Sequence, residues 1–281
     1  MQLNIDLSKP VAFDKLISQS ISIYKNNFKF IIIVIGIFFL PLILFPLIFG
    51  DVYDSFFKTA MMSQGVPPDE ETVKQFFSAW LRLFGFGMIA MVFWYLSGPA
   101  VVKAFHDLFN DKEENIGEVV KYTLFKSFHL VVTGAIVLLM FFVGWMFCFI
   151  PGLILIIYAM YVTQINIIED RFYFGSIARS FSITSGYFWS TLLVPLIFYL
   201  AVSTLTGIIQ IAVMGDLFFK IALNPGQVPD MSIFENFKLR FIIYSVVVNG
   251  LLTFVMPVLH IALSLKFLNL RKIKEGAEVV S

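Results

Sequence analysis

Charged side chains are scarce in this sequence. Asp, Glu, Lys and Arg make up 14% of its 281 residues, whereas soluble domains average about 25%. Hydrophobic residues make up 59%. The 42 residues from Ser127 to Ile168 contain no charged residue. Because one bilayer crossing takes about 20 apolar residues, this stretch predicts two successive crossings. The composition excludes a soluble globular domain and predicts an integral membrane protein.

Cysteine and catalytic motifs are also nearly absent. The single Cys148 excludes an intramolecular disulfide and a zinc site built from cysteines. The three histidines, His106, His129 and His260, form no ligand motif. The sequence has no nucleophile elbow, phosphate loop or paired-histidine zinc helix. A formal net charge of +1 argues against nucleic acid as a partner. We therefore predict no enzyme, no metal and no cofactor.

The uncharged windows predict an all-α, polytopic fold with six transmembrane helices in one membrane domain, residues 1–281. Pro151 and Gly152 are expected to form the reversal between the third and fourth spans. The segments 50–82 and 214–240 are expected to be short helices lying against the membrane. The predicted spans lie near residues 30–49, 83–102, 128–149, 152–168, 188–213 and 241–265.

The distribution of lysine and arginine predicts the orientation. Fourteen of the 20 Lys and Arg fall at the two termini and in the loops on the same side of the predicted spans, so both termini are expected to be cytoplasmic. Residues 1–29 lack the apolar core and cleavage site of a signal peptide, so the first span is expected to remain as an anchor.

Residues 1–29 also contain a predicted amphipathic helix. Its apolar face is formed by Phe13, Leu16, Ile17, Ile21, Tyr24 and Phe28. Its polar face carries Lys15, Lys25 and Lys29. This pattern predicts a helix on the inner membrane surface, with lysines near anionic headgroups. The alternative is a helix packed on the cytoplasmic ends of the bundle, and one helix can do both.

The sequence indicates an internal parallel repeat. With a shift of 160 residues, the following residues recur in register: Ile17, Ser20, Ser22, Ile23 and Phe28 match Ile177, Ser180, Ser182, Ile183 and Phe188. The segment 116–128 resembles the same unit loosely, so three copies are possible. Some transporters bind substrate between parallel repeats, but duplication also builds inert bundles.

Polar residues within the spans are uncharged. Ser245, Asn249, Thr253, His260 and Ser264 share one face of the sixth predicted span, and Tyr199, Ser203, Thr206 and Gln210 form a stripe on the fifth. The favoured interpretation is hydrogen bonding between helices. The alternative is a polar groove built from Asn249, Thr253, His260, Gln210 and Ser203. The lack of charges within the spans argues against proton relays and voltage sensors.

One set of residues resembles a known family. The set comprises Phe149-Ile150-Pro151-Gly152, Glu169, Ala178-Arg179-Ser180 and Gly186-Tyr187-Phe188-Trp189, together with the closing segment Leu265–Arg271. It is similar to the membrane domain fused to glycerophosphoryl diester phosphodiesterases, and to related stand-alone six-span bacterial proteins of unknown function.

This resemblance implies a protein of the bacterial cytoplasmic (inner) membrane. It implies no hydrolysis, because 281 residues leave no room for the phosphodiesterase domain. Glu169 and Arg179 are expected to bracket a cytoplasmic turn, and Trp189 to anchor a span at headgroup level. Asn269 stands where the family pattern suggests an acidic residue.

Three functions remain open at this stage. The first is a non-enzymatic membrane protein that interacts with lipids or organises a membrane complex. The second is a transporter or channel for a small or lipidic solute, and the third and weakest is a lipid-acting enzyme. The expected partners are membrane lipids, with a membrane protein or a second copy of the chain as further candidates.

Overall fold

The computed structural model describes residues 6–62, 69–223 and 237–278, which contain no β-strand. The helices are α1 (Phe13–Asn26), α2 (Phe28–Met62), α3 (Glu70–Phe109), α4 (Ile116–Phe125), α5 (Ser127–Phe147), α6 (Phe149–Tyr158), α7 (Val162–Ile168), α8 (Tyr173–Thr184), α9 (Phe188–Leu223) and α10 (Phe237–Glu278). The predicted all-α fold is confirmed.

Six helical segments of this part are long and apolar enough to cross a membrane. They are Phe28–Val52, Glu70–Phe109, Ser127–Phe147, Phe149–Ile168, Phe188–Asp216 and Lys238–Gly276. Each overlaps one predicted span. The chain is therefore a polytopic α-helical protein.

Short helices precede three of these segments. α1, α4 and α8 lie immediately before α2, α5 and α9. The eighth residue of each short helix carries a fully buried hydroxyl group, on Ser20, Thr123 and Ser180. The hydroxyls of Ser20 and Thr123 donate to the carbonyl four residues earlier, at 2.7 and 2.9 Å. Each short helix thus presents one packed face to the rest of the protein.

The long helices differ from the prediction for segments 50–82 and 214–240. α2 continues to Met62 and α3 already begins at Glu70, while α9 continues to Leu223 and α10 begins at Phe237. Extending a helix costs far less than starting a new one, so the outer segments prolong the spans instead of forming separate helices. Residues 63–68 and 224–236 lie outside the described part.

The reversal between the third and fourth spans also differs from the prediction. It occurs at Cys148, whose extended backbone (φ −175°, ψ 149°) separates α5 from α6. Pro151 and Gly152 lie in the first turn of α6, where proline is tolerated because its missing N–H would have no partner within the helix. Gly152 instead permits a close approach of the two helices. A Cβ atom added to Gly144 would lie 2.9 Å from the Gly152 Cα.

The fourth predicted span, 152–168, is not one helix. It is interrupted between Tyr158 and Val162, so that α6 and α7 are separate. Ser180 of α8 bridges the interruption: its hydroxyl donates to the Tyr158 carbonyl at 2.7 Å and accepts from the Tyr161 amide at 3.2 Å. A side chain distant in sequence thus satisfies backbone groups that the broken helix leaves free.

The contacts group into two compact units, and the single membrane domain that the sequence predicts stays a prediction. Unit 1 comprises the described residues of Met1–Phe38, Tyr95–Leu200 and Thr253–Ser281. Unit 2 comprises those of Phe39–Trp94 and Ala201–Leu252. Unit 1 contains nearly all the fully buried side chains, among them Tyr161, Phe105 and Phe267. Unit 2 is held by aromatic pairs, such as Phe49 with Phe86 at 4.0 Å between ring centroids, and by the ion pairs Asp51–Lys238 and Asp216–Arg240.

Candidate functional site

Unit 1 contains several ionic contacts, and the most deeply buried of them is an ion pair on α3. Lys103 and Asp107 lie one turn apart, and their Nζ–Oδ2 distance is 2.5 Å, with only 7% and 6% of the side chains exposed. Lys112 approaches Asp107 at 3.3 Å, and the Lys103 ammonium lies 5.1 Å from the centre of the Tyr122 ring. These contacts offset part of the cost of burying two charges.

A second ionic cluster surrounds Glu169, which follows α7. Its side chain is 11% exposed and meets Arg179 of α8 at 3.2 Å, with Arg271 of α10 at 3.8 Å. Arg179 also binds Glu275 of α10 at 2.5 Å. Burial alone would lower the pKa of Arg179, but the hydrogen bonds and charges of Glu169 and Glu275 raise it overall. The cluster therefore ties α8 to the end of α10.

The junction between α4 and α5 is tied to the loop before α8. Lys126 pairs with Asp170 at 2.9 Å, and a ring nitrogen of His129 lies 2.5 Å from the Tyr173 hydroxyl. Burial, together with the charge of Asp170, raises the pKa of Tyr122 to about 12. The Tyr122 hydroxyl also hydrogen-bonds the Asp170 side chain, which adds a further contact at this junction.

Asn269 fastens the segment before α1 to α10. Its side chain is fully buried, and its amide nitrogen donates to the carbonyls of Leu7 and Lys9 at 2.8 and 2.7 Å. Its oxygen accepts from the Val11 amide at 3.4 Å. An ionised acid at this position would have no proton to donate, which explains why an amide suits this structure. The sequence showed the unusual residue but not its partner.

α1 packs through part of its apolar face. Leu16, Ile23 and Tyr24 are buried, whereas the lysines at positions 15, 25 and 29 are exposed. Burial raises the pKa of Tyr24. The helix therefore contacts the bundle and still presents positive charge outward, which is compatible with both placements that the sequence allowed.

Large aromatic side chains are exposed at the ends of the short helices and at the starts of the spans that follow them. Phe125 is 81% exposed, Phe128 70%, Phe174 70% and Trp189 77%. Exposed lysines occur near these bends, including Lys25, Lys29 and Lys121. Aromatic rings beside basic residues are typical of protein surfaces at the level of lipid headgroups.

The residues of the predicted polar groove lie as follows. Ser203 and Gln210 are exposed on α9, and Asn249 donates to the Ser245 carbonyl of its own helix at 2.8 Å; all three belong to unit 2. Thr253 and His260 belong to unit 1. The groove therefore stays a prediction.

His260 packs closely against α3 within unit 1. A Cβ atom added to Gly98 would lie 2.7 Å from the His260 Cε1 atom. In the residues described, no group of three His, Cys, Asp or Glu side chains is placed to hold a metal ion. The three histidines accordingly form no such group in the part that the structure describes.

The motif residues of the predicted family resemblance occupy turns and joints. Pro151 and Gly152 lie at the α5–α6 hairpin, Glu169 and Arg179 pair across the α7–α8 turn, and Ser180 bridges the broken span. Gly186, with φ of +81°, forms the bend before α9, because glycine adopts this backbone region without strain. Trp189 follows that bend. The motif is thus architectural where the structure describes it.

The fold and these contacts define a class: a multi-pass α-helical membrane protein with a densely bonded polar region in unit 1. Comparisons with protein-family models, curated proteins and solved structures find no match. The resemblance to the phosphodiesterase-associated membrane domain therefore stays a prediction.

Proposed function

We propose that this chain is a non-enzymatic protein of the bacterial inner membrane that binds lipid headgroups through its three short helices, with both termini in the cytoplasm. The observation that carries this proposal is the repeated combination of an exposed aromatic residue, a nearby lysine and a bend leading into a span. It occurs around Phe28 and Phe125, and at the bend before α9 the exposed aromatic residue is Trp189, with the Lys274 ammonium 5.9 Å from the centre of the neighbouring Tyr187 ring.

The charges on α1 add to this support. Lys15 and Lys25 are exposed on α1, whose opposite side is packed, and Lys29 is exposed in the first turn of α2. A lysine near an anionic membrane surface contributes about 1 kcal/mol to the attraction. Packing of α1 against the rest of unit 1 fixes where these charges lie, so they can favour anionic over zwitterionic lipids around the protein.

The polar contacts favour an organising role over chemistry. Lys103, Asp107, Glu169 and Arg179 are engaged with one another or with neighbouring helices. A catalytic group needs access to substrate and a proton-transfer partner, and these residues instead connect elements. A transporter or channel remains the second candidate, supported by the exposed hydroxyl and amide of Ser203 and Gln210 on α9.

The test compares lipid preference in two matched variants. The purified protein is reconstituted in mixed anionic and zwitterionic bilayers, and the lipids bound to it are counted by native mass spectrometry. Lys25→Gln should reduce the anionic fraction, whereas Lys74→Gln should not, since Lys74 lies on the opposite predicted side and pairs with Glu70 at 2.6 Å. Equal effects of both variants, or none from Lys25→Gln, contradict the proposal.

Flux measurements separate the second candidate. Proteoliposomes loaded with small solutes or labelled lipids should show no protein-dependent movement if the role is organisational. Movement that Asn249→Ala abolishes, while the folded protein remains abundant, would establish transport instead. Turnover of a phospholipid headgroup by purified protein would establish an enzyme.

A further inference from the structure

The hairpin between α5 and α6 ends in an unusually apolar tip. Met146 and Phe147 are each 85% exposed, and Trp145, Phe149 and Ile150 are 53 to 63% exposed. From Gly134 to Ile157, the only side chains able to donate a hydrogen bond are those of Trp145 and Cys148. A turn of this composition offers water very few side-chain hydrogen-bonding groups.

Two of the first four amide positions of α6 need no hydrogen-bond partner from water. The reversal uses the single extended residue Cys148, and its amide donates to the Gly144 carbonyl at 3.2 Å. The first amides of a helix lack partners within it, and such groups are costly in hydrocarbon. Pro151 removes one of these amides from the first turn of α6. No polar loop intervenes between the helices.

The length of α5 leaves the tip inside the membrane. Its 21 residues correspond to about 31 Å at 1.5 Å per residue, close to the hydrocarbon thickness of about 30 Å. Lys126, at the start of α5, pairs with Asp170 in the charged region of unit 1. A helix that begins at headgroup level there reaches only the far edge of the hydrocarbon.

We infer that the α5–α6 tip does not emerge into water, and that Trp145, Met146, Phe147, Phe149 and Ile150 form an interaction surface for lipid acyl chains of the outer leaflet. This goes beyond the proposed headgroup contacts, which involve other residues and the opposite leaflet.

Acyl chains fit this surface better than a second protein helix does. Close helix association in membranes relies on small residues that let backbones approach. The small residues nearest the tip, Gly144 and Gly152, pack against each other and leave no small residue at the outer surface of the tip. The side chains left outside are large and flexible or aromatic, which suits a fluid partner.

The native Cys148 provides the test, because it is the only cysteine of the chain and is exposed at the tip. A nitroxide spin label is attached to it in the full-length protein, which is then reconstituted in bilayers. Collision rates with oxygen, which concentrates in hydrocarbon, and with a water-soluble nickel chelate are measured. Two controls carry Cys148→Ser together with Ile48→Cys on the apolar surface of α2, or with Gln75→Cys on the exposed polar surface of α3.

The inference predicts that the label at Cys148 behaves like that at Ile48→Cys, with frequent oxygen collisions and few nickel collisions. Nickel collisions like those of Gln75→Cys would place the tip in water and overturn it. Low rates with both reagents would show that protein covers the tip, through a second copy or another chain, and would overturn it equally.

A chemical measurement needs no spin label. A membrane-impermeant maleimide should react with Cys148 at least about tenfold more slowly than with Gln75→Cys, because the reactive thiolate is disfavoured in hydrocarbon. Equal rates would overturn the inference. Lys25→Gln should leave the Cys148 results unchanged. The headgroup proposal can therefore fail while the inference about the tip holds, and the reverse is equally possible to observe.

Discussion

Gly144 and Gly152 lie against each other across the α5–α6 hairpin, so closely that a Cβ atom on Gly144 would approach the Gly152 Cα to 2.9 Å and the Leu155 side chain to the same distance. On Gly152, a Cβ atom would meet the Trp145 amide nitrogen at 3.0 Å. The obstructing atoms are largely backbone, which cannot move aside without separating the helices.

Gly144→Ala is therefore expected to destabilise the protein by about 1–3 kcal/mol, the usual cost of overpacking. Gly250→Ala serves as the control, because nothing lies within 4 Å of a Cβ atom there and alanine favours the helix. Thermal unfolding in the same detergent measures both. A Gly144→Ala protein as stable as the Gly250→Ala protein would show that the helices are not so close.

The buried pair Lys103–Asp107 gives a second prediction. Asp107→Asn should destabilise the protein by up to about 3–5 kcal/mol, because it leaves the buried Lys103 ammonium with only the more distant Glu118 carboxylate, at 3.9 Å, as an ionic partner. The double variant Lys103→Met/Asp107→Leu should recover most of the loss, since it removes both charges and keeps the volume. Denaturant titrations of the two variants decide the matter. If the double variant is as unstable as Asp107→Asn, the pair contributes more than charge neutralisation.

Lys266 differs from Lys103 although both are buried. It is 7% exposed on α10, and its side chain forms no hydrogen bond or ion pair with any residue of the described part. Lys266→Met should raise the free energy of unfolding by more than about 1 kcal/mol, because it removes an uncompensated charge. The exposed Lys272→Met should have little effect. A destabilised Lys266→Met protein would indicate that an anion from outside the chain pairs with this lysine.

Asn269→Asp probes the attachment of the segment before α1. An ionised carboxylate would face the carbonyls of Leu7 and Lys9 without a proton to donate, at a cost of about 1–3 kcal/mol or more. Residues 7–11 should then exchange their amide hydrogens faster, which hydrogen-exchange mass spectrometry measures. Asn110→Asp is the control, because that exposed amide bonds only within its own turn. Unchanged exchange in Asn269→Asp would show that other contacts hold the segment.

The turn between the third and fourth spans illustrates the limit of reading the sequence. Pro151 and Gly152 are the strongest turn signals in the stretch, yet the chain reverses at Cys148, three residues earlier. Proline is as acceptable in the first turn of a helix as in a turn, and the local sequence does not distinguish the two. The packing of Gly152 on Gly144 selects one of them, and this contact joins two different helices.

The fourth span shows the same limit. No charged residue interrupts the stretch from Phe149 to Ile168, so the pattern predicts one helix. The interruption after Tyr158 is stable because Ser180, which is far along the chain, supplies a donor and an acceptor to the free backbone groups. Hydropathy indicates whether a segment prefers lipid or water, and it contains no information about a hydrogen-bond partner elsewhere in the chain.

The sequence by itself determined that the chain is helical, that it crosses a membrane and how many times it does so, because those properties follow from how many consecutive apolar side chains must avoid water. Only the tertiary structure decided which polar residues meet: Asn269 binds Leu7 across 262 positions, and Arg179 reaches Glu275 across 96. Such pairs depend on the docking of separate helices, which packing geometry governs and local composition does not encode.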